Sequence, residues 1–208
     1  MRQRSPALCR RTRKDTDEVL VQQSDQELIA RCRLGDREAF GMIYARYERP
    51  VYRFAYHMLG DPDEADDIKQ DTFVKAFRTL PGFREECSLL TWLLKVASNL
   101  CRDKHKTQTR RGETALLPEM EVSLYDSSEL GQDPADALER KYLRQTVHKI
   151  LGGLPESQRE LIVLRDLEGM SYQQIADVLG CSVASVKLRL FRARRGFKDR
   201  LESLLKTR

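Results

Sequence analysis

The sequence predicts an all-α protein: two small helical domains joined by a flexible linker. Apolar residues recur at three-and-four spacing through most of its 208 positions, the periodicity of buried helix faces, and strand-like alternation appears nowhere. Serine-led capping signatures head two of the periodic segments, and from residue 107 to residue 134 the periodicity gives way to Gly, Pro, Ser and acidic residues. The domains are therefore drawn as 24–106 and 135–208, with a disordered basic arm over 1–23 and a linker over 107–134.

In the first domain, Ser24 and Glu27 have capping-box spacing ahead of Leu28, Ile29 and Cys32, so a short helix begins there. Gly35-Asp36 punctuates it. Phe40, Ile43, Tyr44 and Tyr47 then line one face, and Val51, Phe54, Ala55 and Met58 resume the stripe beyond Pro50. Proline removes a donor and disfavours the helical basin for Arg49, which predicts a kink or break at that point. Gly60 stops the helix, and Asp61 as N-cap with Pro62 in the first position starts a third. Its apolar face is Ala65, Ile68, Phe73, Ala76, Phe77 and Leu80; its other face carries Asp66, Asp67, Gln70 and Asp71. Pro81-Gly82 ends it. After the loop Phe83 to Ser88, a fourth helix turns Trp92, Leu93, Val96, Ala97 and Leu100 inward, and Lys104 and Lys106 suit its C-terminal dipole.

A flexible linker of this length averages an end-to-end distance of about 30 Å, enough to bridge sites a turn or two of duplex apart. Beyond it, helical patterns run over 143–151, 155–167 and 171–179 before a long last helix.

Composition excludes several classes. No apolar run approaches the ~20 residues of a bilayer crossing. The Arg-rich N-terminus has no apolar segment behind it of the kind a secretory signal needs. The five cysteines are odd in number and lack CxxC spacing, which points to a reducing compartment, the cytoplasm. His57, His105 and His148 fall on scattered polar or mixed surfaces, and no nucleophile elbow, phosphate loop or zinc motif is present. The sequence therefore predicts no enzyme, no cofactor, no metal site and no small-molecule substrate. Cys101 and His105, spaced i, i+4, suit either a metal pair or an ordinary thiol near a charged helix end.

The strongest local signal runs from Ser171 to Lys187 and reads as helix, tight turn, helix. Ser171 and Gln174 form a capping box, Ala176 is small where two helices approach, Gly180 suits a turn of positive φ, and Ser182 caps the second helix. Val183, Val186, Leu190, Ala193 and Phe197 fall on the core side of that helix. The opposite side presents Ala184, Leu188, Phe191, Arg192 and Arg195, flanked by Ser185, Lys187 and Arg189. Such a helix fits the major groove of DNA. Small Ala184 permits close approach, Arg192 has the fork to pair with a guanine, Leu188 or Phe191 can touch a thymine methyl, and the other cations neutralise phosphates. From Ser182 onward nine Lys or Arg residues face only Asp199 and Glu202, an imbalance that suits a polyanion. By charge alone this would be a solvated face; the turn chemistry favours DNA.

From Asp25 to about Leu204 the chain resembles the extracytoplasmic-function (ECF, group IV) sigma factors of bacterial RNA polymerase, within the sigma-70 family. Leu154 to Arg159, Leu164 to Gly169 and Ser171 to Ala176 resemble region 4, followed by a minus-thirty-five reader from Ser182 to Arg195. Asp66 to Phe77 resembles region 2.2; Phe83 to Trp92 with Val96 to Asn99 resembles the melting and minus-ten segments. The resemblance implies a factor that binds core polymerase and directs it to promoters, promotes melting, and serves a stress or envelope response. It implies minus-thirty-five contacts from Ser182, Ala184, Ser185, Lys187, Leu188, Phe191, Arg192 and Arg195. Minus-ten contacts are implied for Phe83, Arg84, Glu86, Ser88, Trp92 and Asn99, with stacking worth ~1–3 kcal/mol per unpaired base. Core docking is implied for Asp66, Asp67, Gln70, Asp71 and Phe73, on the clamp helices of β′, with the β flap and an anti-sigma factor as further partners. By pattern alone, the acidic face reads equally as solvated surface and Trp92 as a core residue. Two departures stand out: Glu85-Glu86 where the family has Gly-Asp, and Leu188 where it often has a small polar residue. The reader also suits a repressor on palindromic DNA, although no dimerisation heptad is evident.

Overall fold

The computed structural model describes residues 23–110 and 134–206. All of the basic arm except Gln23, and nearly all of the linker drawn from the sequence, lie outside them. Two units are present, one ending at Arg46 and one spanning Tyr47–Arg208. Every regular element among the described residues is helical.

The first unit opens with α1 (Asp25–Arg33), headed by the capping box of Ser24 and Glu27. Asp36 then accepts from the backbone N–H of Glu38 and Ala39, starting α2 (Arg37–Leu59), and pairs with Arg31 at 2.7 Å. Arg46 closes the unit on Asp25 at 2.6 Å.

Of the kink or break expected at Pro50, the break does not occur: α2 is one helix through it. A proline inside a helix loses one hydrogen bond and crowds the preceding turn. Here the apolar stripe continues on the far side, where Val51, Phe54 and Ala55 are fully buried, and that burial outweighs the local cost.

In the second unit, Asp61 caps α3 (Pro62–Thr79) by accepting from the Glu64 N–H at 2.8 Å. A single 3-10 turn, Leu80–Gly82, leads into the loop before α4 (Leu89–Arg110). The helix thus outruns its expected end at Lys106, held by Gln108 donating to Glu64 and by Lys104 near the same carboxylate. Helices α5 (Pro134–Gly152) and α6 (Glu156–Ile162) follow, and α6 passes into a π turn, Val163–Leu167. The helix-turn-helix consists of α7 (Tyr172–Leu179) and α8 (Val183–Lys206). Its core comprises Ile175, Ala176 and Val178 from α7 with Val186, Leu190 and Ala193 from α8. No described helix is long and apolar enough to cross a membrane.

Candidate nucleic-acid and polymerase interfaces

Helix α8, the candidate reader, is placed by its caps. Ser171 and Gln174 form the reciprocal capping box of α7, and Gly180 ends it at φ 63°, a left-handed turn that an L side chain rarely adopts. Ser182 then accepts from the Ser185 N–H at 3.2 Å, fixing where α8 starts. With Val186, Leu190 and Ala193 turned inward, Ala184, Lys187, Leu188, Phe191, Arg192 and Arg195 are exposed on the other side. Phe191 is 69% and Leu188 54% exposed, an unusual display of apolar surface beside cations. Ser185 is half-buried, and Ser182 engages its hydroxyl as a cap. Arg194 points elsewhere: it grips Asp166 of the π turn at 2.5 Å and ties the reader to its support. Lys187 and Arg165 both lie over the Tyr172 ring, at 5.7 and 4.7 Å from its centroid.

The second surface is the loop before α4. Phe83 is buried, with its ring 4.9 Å from that of half-buried Trp92, so Phe83 packs behind Trp92 and Trp92 stands at the surface edge of the pair. Arg84 and Glu86 are exposed and 4.0 Å apart. Ser88 caps α4: its hydroxyl accepts from the Thr91 N–H at 3.2 Å and its carbonyl from the Trp92 N–H. Asn99 is exposed two turns further along α4. Glu85 stands at φ 58°, a left-handed conformation that a residue with a Cβ adopts only at a cost and that glycine adopts freely.

The third surface is the outward side of α3. Asp66 accepts from Lys69 and from Gln70, at 2.6 Å for the latter, and these bonds lower its carboxyl below the ordinary value. Asp67, Gln70 and Asp71 are exposed and line a shallow depression of about 400 Å³ with Lys104 of α4. Phe73 does not join them: it is 3% exposed and packs in the core, because it lies on the same stripe as Ile68 and Ala76. Phe77, placed on the core face by periodicity, is instead 50% exposed, as is its neighbour Val74 at 49%. One helical turn beyond Phe73 the stripe has rotated to its edge.

Two family models match, Sigma-70 region 2 over residues 43–111 and Sigma-70 region 4 over residues 144–195. The RNA polymerase sigma-H factor of Pseudomonas aeruginosa is 32% identical over 90% of this chain and 99% of its own length. The ECF RNA polymerase sigma-E factor of Escherichia coli K12 is 31% identical over 89% of this chain and 98% of its own. This chain is an ECF-group member of the sigma-70 family. It is a transcription-initiation factor that directs RNA polymerase to promoters.

The structure of CnrH in complex with the cytosolic domain of CnrY matches this sigma factor at a TM-score of 0.64 and 29% identity, over 87% of this chain and 99% of that one. RpoE of Bartonella quintana, in complex with the anti-sigma factor NepR, shares the fold at a TM-score of 0.60 and 24% identity, over 78% and 96% of the two chains.

Sequence reasoning missed Lys95 and Cys87, which line one groove with Arg84, Glu86 and Trp92. Lys95 had a legible signal, three residues after Trp92 and four before Asn99 on one face of α4. Histidine placement also differs from the scattered pattern read in sequence: His57 and His148 meet, while His105 Nδ1 faces Glu156 at 3.4 Å. Cys101 is buried, and burial pushes its thiol well above the ordinary value.

Proposed function

We propose that residues 24–106 and 135–208 of this sigma factor act as separate modules on promoter DNA, one holding polymerase and the minus-ten element and the other the minus-thirty-five element. The observation that carries this reading is the reader helix, whose exposed face sets Leu188, Phe191, Arg192 and Arg195 opposite a packed core. Arg192, Leu188 and Phe191 address base edges; Lys187, Arg195 and the N-terminal turn at Ser182, Ala184 and Ser185 address the backbone and allow close approach. In the first module, Trp92 and Asn99 meet unpaired minus-ten bases, Phe83 and Ser88 shape the loop, and Arg84 and Glu86 flank it. Asp67, Gln70 and Asp71, beside exposed Val74 and Phe77, form a mixed acidic and apolar face suited to the β′ clamp helices, with Asp66 ordering Gln70 from behind.

The protein works in the cytoplasm, where its polymerase is, and contributes no catalysis of its own. CnrH is solved with the cytosolic domain of CnrY, which supports a protein partner for this chain; membership of the ECF group makes an anti-sigma factor the partner we infer, and a stress response its setting. The deciding experiment is run-off transcription with purified core polymerase on a library of promoter fragments. Specific transcripts that require the chain are the expected result. A chain that binds duplex without core and yields no transcript would be a repressor instead.

A further inference from the structure

Two of the free cysteines among the described residues stand at matching places in the fold. Cys87 and Cys181 each directly precede a serine that caps a helix, Ser88 for α4 and Ser182 for α8. The backbone of each is therefore held on one side. Cys181 is also tied to α7, because its N–H donates to the Ala176 carbonyl at 3.1 Å around the left-handed turn at Gly180. Helices α4 and α7 pack directly on each other. Both cysteines line one groove of about 670 Å³, whose walls also include Trp92 and Lys95 of α4 and Asp177 of α7. Electrostatics agree with that placement, since the Asp177 carboxylate acts on the Cys87 thiol. Cys87 and Cys181 are half-buried, open to a small solute, whereas Cys101 is enclosed in the core.

We propose that Cys87 and Cys181 form an oxidisable dithiol, which a hydroperoxide converts to a disulfide joining the loop before α4 to the turn before α8. The reaction passes through one sulfenic acid. The Cys181 thiolate attacks a peroxide oxygen: an S–O bond forms, the O–O bond breaks, and the departing hydroxide takes up the thiol proton as water. The Cys87 sulfur then attacks the Cys181 sulfur. An S–S bond forms, the S–O bond breaks, and the hydroxyl leaves as water with the Cys87 proton. Two thiols are oxidised by two electrons in all, and one hydrogen peroxide is reduced to two waters. Burial, then Asp177, hold the Cys87 thiol above its ordinary value, which assigns it the second step, where an electrophilic sulfur is already waiting. A disulfide needs Cα atoms within about 7 Å of each other. Both cysteines lie in non-helical backbone, so any adjustment falls on the loop and the turn rather than on a helix. In a reducing compartment such a bond is transient and redox-sensing. Its consequence rests on the two-module reading: once linked, the minus-ten loop and the reader helix no longer part onto separate promoter elements, and the oxidised factor is silent until reduced.

The test uses the full chain as wild type, Cys87→Ser and Cys181→Ser. Each is treated with hydrogen peroxide in the absence of polymerase, cleared of peroxide with catalase, and divided. One part is blocked with N-ethylmaleimide and digested without reduction for mass spectrometry. The other is assayed by run-off transcription with untreated core polymerase, before and after dithiothreitol. Wild type should yield a peptide pair linked through Cys87 and Cys181, and its transcription should fall about tenfold once roughly nine chains in ten are linked. Dithiothreitol should restore it. Each serine variant is compared with its own reduced form, and neither should lose transcription on oxidation. The two substitutions lie in different segments, so misfolding of one leaves the other informative. Absence of the linked pair, or equal losses in wild type and both variants, overturns the dithiol, and a linked wild type that transcribes at full rate overturns its control of initiation. No transcript from reduced wild type defeats the promoter reading instead, whereas an active reduced chain that forms no linked pair defeats the dithiol alone.

Discussion

The imidazoles of His57 and His148 lie stacked, with ring centroids 4.8 Å apart and planes 26° from parallel, and Tyr56 stands edge-on to His148 at 4.7 Å. Each Nδ1 is shut off from solvent without a hydrogen-bond partner. The charged side chains acting on the pair are both cations, Arg53 on His57 and Arg159 on His148. Burial, then His148 and Arg53, lower the His57 value to about 3; burial, then Arg159, lower that of His148. The pair is therefore neutral where it sits, and burial and the nearby Arg53 and Arg159 oppose its protonation.

The folded chain thus binds fewer protons at these sites than the unfolded chain, whose histidines titrate near 6.5. Stability from the neutral pair is present above pH 6.5 and is lost as pH falls from there toward 3. At pH 5.5 the loss from His57 alone is about 1.4 kcal/mol. Glu160 works in the opposite sense, since its raised carboxyl takes up a proton more readily when folded. Comparing variants separates the two: the fall in melting temperature between pH 7.5 and pH 5.5 should be clearly smaller in His57→Gln than in wild type. Equal falls would show that the stacked pair carries no proton linkage.

Arg159→Ala should cost at least about 3 kcal/mol in urea unfolding. The guanidinium serves the carbonyls of Leu151, Gly152 and Met58 together, and each buried acceptor left without a donor costs ~1–3 kcal/mol. Arg159→Lys should recover only part of this, because a single ammonium does not span the fork. A loss below about 1 kcal/mol for the alanine variant would mean that water replaces the side chain without penalty.

Local chemistry was legible in the sequence, and pairings between distant polar residues were not. Ser24 with Glu27, Asp61 with Pro62, Ser171 with Gln174, and Gly180 before Ser182 each satisfy backbone groups within a few residues, so the spacing alone reveals them. The outward face of α8 followed from the same periodicity that buries Val186 and Leu190. Pro50 left kink and break open because the rule that interrupts a helix is local, while the burial that carries α2 through it unbroken is tertiary. Phe73 and Phe77 were both placed on the apolar face, yet one is core and the other half-exposed, since a stripe has edges that a wheel does not mark. Glu160, Glu168 and the two histidines find partners tens of positions away, and nothing in their flanking residues announces it.

Glu85→Gly should stabilise the fold by about 0.5–1 kcal/mol. At φ 58° a residue with a Cβ pays roughly 1–2 kcal/mol. Glycine removes that strain but gives back about 0.4–1 kcal/mol through the greater freedom of the unfolded chain. The gain should appear in denaturant midpoint without a change in slope. A destabilised variant would mean that the Glu85 side chain contributes more than its backbone costs.

Arg192 and Lys187 both stand exposed on the reader helix, but their settings predict different losses. Arg192 shares its face with Phe191 and Leu188, where a planar fork can meet a base edge, so Arg192→Ala should cost ~1–3 kcal/mol on one sequence and relax preference at one base pair. Lys187 lies over the Tyr172 ring near the start of α8, where a point charge serves a phosphate. Its alanine variant should weaken binding to all sequences alike and flatten the salt dependence by about one charge. Arg194→Ala forms a third arm: with its guanidinium on Asp166, it should leave base preference unchanged. Binding measured against a set of single-base-pair changes in the duplex, at two salt concentrations, separates all three. Uniform losses for Arg192→Ala across that set would remove it from base reading and leave Leu188 and Phe191 to carry the preference.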